Sequence, residues 1–241
     1  KKYEKTDRSI EICEFLMMHA SVWPDKIRDK SNPNSKFHRP EWHYITYKMD
    51  FINGHDTSKV GDKNDADVVW AIGHTQKMIQ NGSYNYSTRA MYLAWLIHLI
   101  GDIHQPLHCA SLFNETYKKG DRGGNLFFVK PHSRAQNLHH IWDYGLGSTG
   151  KKNTEMNVKK QADRIVKKLS ESVNGYDLKS FDARKWSIES FNHAVIDAHL
   201  NGKLKGVTEE NKENAPTLPE GYLDDRKKLS DLRGLLGGLR L

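Results

Sequence analysis

The chain has 241 residues, of which 37 are Lys or Arg and 30 are Asp or Glu, so its formal net charge is +7. This length suits one domain with a substantial core, and the basic balance favours an anionic partner, although scattered lysines are commonly only solvated surface charges. Two cysteines exclude a disulfide framework or a cysteine-based zinc finger, and no apolar stretch reaches the roughly 18 residues of a membrane span.

Apolar residues at helical intervals predict a mainly helical, all-α fold. The predicted helices are Asp7–Met18, Asp65–Gln80, Met91–Ile103, Asn137–Leu146, Glu155–Val173, Ile188–Leu200 and Leu223–Leu239. Pro24 should end the first helical region, and Pro106 should end or kink the third. Polar, Pro- and Gly-containing stretches predict loops at 29–40, 114–130 and 202–219, with a small hairpin possible in the second.

Two copies of one spacing stand out among the thirteen histidines: His98 precedes Asp102 by four residues, and His139 precedes Asp143 by four. Side chains four apart on a helix share a face, so each pair can bind one cation. His108 adds a third imidazole close to the first pair. Imidazole with carboxylate, and no cysteine cluster, is typical of a catalytic zinc site with an open coordination position.

Spacing alone leaves alternatives open. One His-x-x-x-Asp pair is more often a buried histidine bonded to a carboxylate, but two pairs in apolar helices favour metal binding because unpaired buried charges are costly. His104 forms a rival pair with His108, which spacing cannot exclude. His139 is favoured over its neighbour His140, since only His139 lies four residues before Asp143.

Longer runs of residues resemble a known family, the zinc-dependent single-strand nucleases and 3'-nucleotidases of fungi, plants and bacteria. The resemblance extends from about residue 20 to the end of the chain and is clearest before residue 146. The matching runs are ASVWPD at 20–25, WHYI at 42–45, WLIHLIGDIHQPLH at 95–108, DRGGN at 121–125 and NLHHIWD at 137–143.

The resemblance implies a mainly helical fold shared with zinc phospholipase C, and a zinc cluster of two to three ions. Asp25 and His43, which are weak candidates from spacing alone, then join the ligand set. The implied ligands of the first zinc are Asp25, His43, His98 and Asp102. The implied ligands of the second zinc are His108, His139 and Asp143.

The third zinc of the family is held by the amine and carbonyl of an N-terminal Trp, a nearby His and the carboxylate equivalent to Asp102. This sequence lacks that opening motif, and Trp70 to His74 has the wrong spacing to replace it. We therefore expect residues 1–241 to form a single zinc nuclease domain without the family's N-terminal segment. Relatives expose this N-terminal ligand by signal removal, so the resemblance also implies a secreted or periplasmic protein.

The implied activity is hydrolysis of single-stranded DNA and RNA to 5'-phosphate products, together with 3'-nucleotidase activity. Asp25 would orient the attacking water and accept its proton. Thr46 and Tyr144 differ from residues common near the nucleobase in relatives, so they are candidates for substrate binding or simple packing substitutions. The expected partners are single strands and 3'-nucleotides, with no membrane, and the protein is expected to be a monomer.

Two other functions compete with this one. A zinc phospholipase C would share the fold and the zinc arrangement but cleave a lipid headgroup ester. A helical nucleic-acid-binding protein with purely structural zinc would bind single strands without releasing phosphate. The GDIHQPLH run at 101–108 favours the nuclease.

Overall fold

A computed structural model of the protein describes residues 10–61, 66–146 and 154–241. Most residues in these ranges are helical, which confirms the predicted fold class. The α-helices are α1 (Ile12–Ser21), α2 (Trp23–Lys26), α3 (Val68–Gln80), α4 (Tyr86–His104), α5 (Leu138–Asp143), α6 (Glu155–Leu169), α7 (Ala183–His193) and α8 (Tyr222–Arg240). Short 3-10 turns include Pro40–His43, Pro106–Cys109, Ser170–Val173 and Glu209–Asn214.

Helix α4 is the central element and packs against α1, α3, α7 and α8. Its apolar residues leave almost no polar face, and Trp95, Leu99 and Ile103 are almost fully buried. The helix begins five residues earlier than predicted because the Asn85 side chain accepts a hydrogen bond from the Thr88 amide and caps it. It ends before Pro106, as predicted. His98 and Asp102 therefore project from a rigid helix in the protein interior.

Most other helix bounds differ from the prediction by a few residues. Helix α3 begins at Val68, where Asp67 caps it, and α8 agrees with the prediction to within one residue at each end. Helix α5 is shorter than predicted and ends at the candidate ligand Asp143. The start of the first predicted helix lies outside the described residues, as does Asp65.

A small three-stranded sheet was not predicted from the sequence. Its strands are β1 (Tyr47–Met49), β2 (Asp56–Lys59) and β3 (Ala110–Leu112), in the order β2-β1-β3, with β1 parallel to β3. Strands of three or four residues are too short to show an alternating pattern. The sheet joins distant segments, because the Ile45 amide donates to the His108 carbonyl at 2.9 Å just ahead of β1.

The predicted hairpin region is mostly loop. Strand β4 (Phe128–Val129) pairs antiparallel with β5 (Gln136–Asn137), so the hairpin begins at the end of the predicted 114–130 segment and its second strand lies beyond it. Strand β5 leads directly into α5, where the Asn137 side chain accepts from the His140 amide and caps the helix. None of the helices in the described ranges is long and apolar enough to cross a bilayer.

Candidate metal centre

One cleft of about 1110 Å³ is lined by all the candidate histidine and aspartate ligands except His98, whose Nε2 is 3.1 Å from Asp102 Oδ2. The ligands come from separate elements that the core holds together. Asp25 lies in α2, His43 ends a 3-10 turn, Asp102 lies in α4, and His108 lies in the turn after Pro106. Helix α5 supplies His139 and Asp143 from one face.

The first group consists of Asp25, His43 and His98, whose ligand atoms lie within 4.8 Å of one another. His98 Nε2 is 3.0 Å from His43 Nδ1 and 3.9 Å from Asp25 Oδ1. The imidazoles are largely buried, whereas the Asp25 side chain is 52% exposed. The group therefore has two buried nitrogens and one carboxylate that faces the open cleft.

The second group consists of His108, His139 and Asp143, and its ligand atoms also lie within 4.8 Å of one another. Asp143 presents one carboxylate oxygen to His108 Nε2 at 3.4 Å and the other to His139 Nε2 at 3.5 Å. The two imidazole rings stack, with centroids 4.9 Å apart. The predicted four-residue spacing from His139 to Asp143 thus brings both side chains to one point.

Asp102 lies between the two groups. Its Oδ2 is 2.9 Å from His43 Nδ1 and 3.1 Å from His98 Nε2, whereas its Oδ1 is 3.6 Å from His108 Nδ1. The structure thus brings all seven predicted ligands together, with Asp102 as the link. Imidazole nitrogens and carboxylate oxygens in this arrangement are a donor set that suits zinc.

Backbone carbonyls fix the orientation of three imidazoles. Nδ1 of His98 donates to the Ser21 carbonyl at 2.7 Å, Nδ1 of His108 to the His43 carbonyl at 2.8 Å, and Nδ1 of His139 to the Gly123 carbonyl at 2.8 Å. Nε2 of His108 and of His139 then faces the cleft, while Nε2 of His98 faces His43 and Asp102. Each Nε2 has its lone pair available when the ring is neutral. Such hydrogen bonds behind a histidine are typical of metal sites, and they support the fit of the donor set to a cation.

Electrostatics in the cleft are dominated by these paired charges. Burial would raise the pKa of Asp102, but the facing His98 and His108 imidazoles outweigh it and hold that pKa below its usual range. Burial would likewise lower the pKa of His108, but Asp102 and Asp143 raise it to about 9. The cleft thus holds the negative charge of the Asp102 and Asp143 carboxylates, which a bound cation would neutralise.

Two further residues support the groups and were not predicted. Gln105 Nε2 donates to Asp143 Oδ1 at 2.8 Å, while its Oε1 accepts from the Leu107 amide, so this side chain orients a candidate ligand. Arg28 lines the cleft with its Nη1 3.6 Å from Asp25 Oδ1. The only sequence signal for either residue was proximity to a ligand motif.

The rival histidines lie outside both groups. His104 is buried, donates Nδ1–H to the Ile100 carbonyl at 2.7 Å and lies with Nε2 2.9 Å from Arg240 Nη1. It therefore belongs to the contact between α4 and α8. His140 contacts Tyr144 with the two rings tilted and their centroids 4.5 Å apart. The preference for His139 over His140 agrees with this geometry.

Both predicted substrate-binding residues line the cleft. Thr46 lies just after the His43 segment, and its backbone carbonyl accepts from the Val60 amide. Tyr144 follows Asp143, and its side chain is 60% exposed. The position of both residues is compatible with contact to a bound molecule, and their role stays a prediction.

Comparison with known proteins agrees with the motifs. The sequence model of the S1/P1 Nuclease family matches residues 3–241. Endonuclease 4 of Arabidopsis thaliana is 34% identical over 140 residues, which are 52% of this chain and 42% of that protein. Endonuclease 1 of the same plant is 26% identical over 240 residues, covering 91% of this chain and 71% of that protein.

Nuclease S1 of Aspergillus oryzae is 43% identical over 61 residues, or 25% of this chain and 18% of that protein. The matched part spans less than half the length of Endonuclease 4 and of Endonuclease 5, at 42% and 40%. The family model, in contrast, spans residues 3–241, a range that contains all seven candidate ligands. This chain belongs to the S1/P1 nuclease family.

Proposed function

We propose that this protein is a zinc-dependent endonuclease that hydrolyses single-stranded DNA and RNA to 5'-phosphate products and dephosphorylates 3'-nucleotides. The observation that carries the proposal is the convergence of two His/Asp groups, linked by Asp102, in one open cleft. Membership of a nuclease family supports the same conclusion.

The donor set fits two zinc ions. One would be held by Asp25, His43 and His98, the other by His108, His139 and Asp143, with Asp102 contributing between them. Zinc bound in such a pair of sites supplies Lewis-acid stabilisation of negative charge on a phosphate. A third ion, with the N-terminal ligands of the family, stays an expectation.

Asp25 is the residue best placed to handle the attacking water. Its carboxylate is the exposed ligand of the first group, so it can accept a hydrogen bond from a water in the cleft while the buried histidines cannot. Arg28 holds a permanent positive charge beside this carboxylate and can bind the charged phosphate oxygens. We assign Asp25 the role of orienting the water and accepting its proton.

Single strands suit the shape and lining of the cleft. Tyr44 and Tyr144 both line it, and their side chains are 47% and 60% exposed. Exposed aromatic rings can stack on unpaired bases, whereas paired bases in a duplex are covered by their neighbours. Thr46, which lies two residues after Tyr44, would contact a base held there.

The test is hydrolysis by zinc-loaded protein of a single-stranded oligonucleotide, the matching duplex and phosphatidylcholine vesicles. We expect chelator-sensitive cleavage of the single strand, slow cleavage of the duplex and no headgroup release. Headgroup release in place of strand cleavage would favour a phospholipase C. Strand binding without cleavage would favour a protein with structural zinc.

Asp25→Asn tests the assigned role within the same assay. We expect turnover to fall by roughly 100-fold or more, the usual contribution of a general base, when the variant is assayed at saturating zinc and its bound zinc is measured alongside. Full turnover at intact zinc content would contradict the role of Asp25. The secreted or periplasmic location and the monomeric state stay expectations.

A further inference from the structure

A basic lip borders the cleft on the side of the second His/Asp group. We define this lip as residues 119–125. Lys119, Arg122 and Asn125 line the cleft and are exposed. The lip continues into the metal centre, since the Gly123 carbonyl accepts from His139 Nδ1 at 2.8 Å. The positive charges of the lip are thus attached to a segment that already orients a candidate ligand.

The backbone of the lip is left-handed at four positions. Gly120, Gly123 and Gly124 have φ values of 84°, 62° and 83°, and Arg122 has φ of 55°. Glycine adopts this conformation readily, but a side chain with a Cβ is strained there. Three of the four positions hold glycine, which avoids this strain, and the fourth holds Arg122. A residue kept in a strained conformation beside a site is a reason to look for a function of its side chain.

Hydrogen bonds hold the Arg122 backbone in place. Its amide donates to Ser111 Oγ at 3.1 Å, and its carbonyl accepts from Asn125 Nδ2 at 2.9 Å. Ser111 is buried in β3 and also donates to the carboxylate of buried Asp121 at 3.1 Å. The backbone is therefore fixed from the core, and the Arg122 side chain leaves it in a set direction.

In the part of the chain that the structure describes, the two cations of the lip have no acidic partner. Within the described ranges, neither Lys119 nor Arg122 makes an ion pair or a side-chain hydrogen bond. By contrast, the buried Arg233 and Arg240 are both paired with Glu189, at 2.8 and 2.7 Å. Unpaired cations on the wall of a cleft attract an anionic ligand.

We propose that Lys119 and Arg122 form a subsite for a phosphate of a bound single strand other than the phosphate being cleaved. The inference rests on the proposed nuclease function and adds to it a contact that requires a polymer. The scissile phosphate is accounted for by the two His/Asp groups and Arg28. A guanidinium and an ammonium at the lip suit the next phosphate along the strand, which Arg binds through two parallel hydrogen bonds.

The test uses zinc-loaded protein and a fluorescent oligothymidylate with phosphorothioate linkages, which resist hydrolysis. Arg122→Gly removes the cation while glycine adopts the local φ without strain, so the fold is preserved. Lys119→Gln removes the second cation. Lys118→Gln is the matched control, because Lys118 is exposed in the same loop but does not line the cleft.

We expect Arg122→Gly to weaken binding roughly tenfold, the usual effect of losing a charge-assisted hydrogen bond. The slope of log affinity against log salt should fall by about one for each cation removed from the lip. Lys118→Gln should leave affinity nearly unchanged. In cleavage assays, KM for 3'-thymidylate, which has a single phosphate, should stay the same in all variants.

Unchanged binding in the Arg122→Gly, Lys119→Gln double variant would overturn the subsite, as would an equal loss in Lys118→Gln. A matching rise of KM for 3'-thymidylate would place Arg122 on the scissile phosphate and also overturn it. These outcomes are separate from those of the nuclease proposal. If the unmodified protein binds the strand but cleaves no unmodified oligomer, the nuclease proposal fails while binding still decides the subsite.

Discussion

The imidazoles in the cleft are held by groups that a motif search does not include. His98, His108 and His139 each donate Nδ1–H to a backbone carbonyl, from Ser21, His43 and Gly123 respectively. Because these carbonyls come from different segments, each ring orientation depends on the packing of the whole protein. Metal affinity should therefore be sensitive to changes well outside the ligand set.

Adjacent histidines in α5 give a matched test of the ligand assignment. His139→Ala removes an imidazole that faces Asp143, and we expect it to lose about one bound zinc ion per chain. His140→Ala removes a ring that contacts Tyr144 outside both groups, and we expect zinc content to be unchanged. Zinc content is measured by plasma emission spectroscopy on protein dialysed against trace zinc. Equal content in the two variants would contradict the assignment.

Protonation of His108 gives the metal centre a defined pH dependence. Its pKa is raised to about 9, because Asp102 and Asp143 outweigh the effect of burial. Its contribution to the stability of the metal-free fold is therefore complete below its ordinary pKa of about 6.5 and is lost as pH rises through 9. Asp102, whose pKa is lowered, contributes above its ordinary pKa of 3.8 and loses that contribution as pH falls.

The raised pKa of His108 and the lowered pKa of Asp102 predict that Tm changes with pH in opposite directions in metal-free and zinc-loaded protein. With chelator present, Tm should be highest between about pH 4 and 6.5 and fall toward pH 9. With zinc present, Tm should rise between about pH 6.5 and 9, because zinc must displace the proton of a protonated ligand. Below the pKa of that ligand, zinc affinity falls about tenfold per pH unit for each proton displaced. Differential scanning fluorimetry measures both. Parallel trends in the two states would show that these groups do not bind zinc.

At the scale of elements, the glycine turn at residues 120–124 brings the backbone close to the candidate ligand His139. A Cβ at Gly123 would lie 2.4 Å from the Leu107 carbonyl oxygen and 3.4 Å from His139 Nδ1, and φ there is 62°. The Leu107 carbonyl is a backbone group of the turn that carries His108, so it cannot move without disturbing that turn. Only glycine fits this position.

Gly123→Ala should therefore destabilise the protein by about 1–3 kcal/mol and lower zinc affinity at the second group. Gly73→Ala is the control, because Gly73 lies in α3 with nothing within 4 Å of the added Cβ. Alanine in a helix interior is better than glycine by about 0.5–1 kcal/mol, so this control should be neutral or stabilising. Urea unfolding measures both changes. A neutral Gly123→Ala would contradict the close approach.

Sequence patterns predicted some elements better than others. Long amphipathic or apolar helices such as α3, α4 and α8 were found, because ten or more residues repeat the same periodicity. The three-residue strand β1 and the short helix α2 were not, since so few residues show no period. The seven candidate ligands, which the structure brings together, were predicted by spacing and resemblance. Gln105 and Arg28 were not, because their roles depend on distances between segments.

For the whole molecule, the important property is that one buried helix organises the site. Helix α4 packs against α1, α2, α3, α7 and α8 and carries His98 and Asp102, while sheet β2-β1-β3 brings His43 and His108 to it. Each ligand is thus attached to the core and not to a free loop. Such a rigid site needs little reorganisation when a cation binds. That the chain forms one domain stays a prediction.

The most direct test of this account is anomalous diffraction at the zinc edge from crystals of zinc-loaded protein. We predict one peak among Asp25, His43, His98 and Asp102, and a second among His108, His139 and Asp143. Peaks confined to other histidines, such as His55 or His199, would contradict the central claim, as would an empty cleft at saturating zinc.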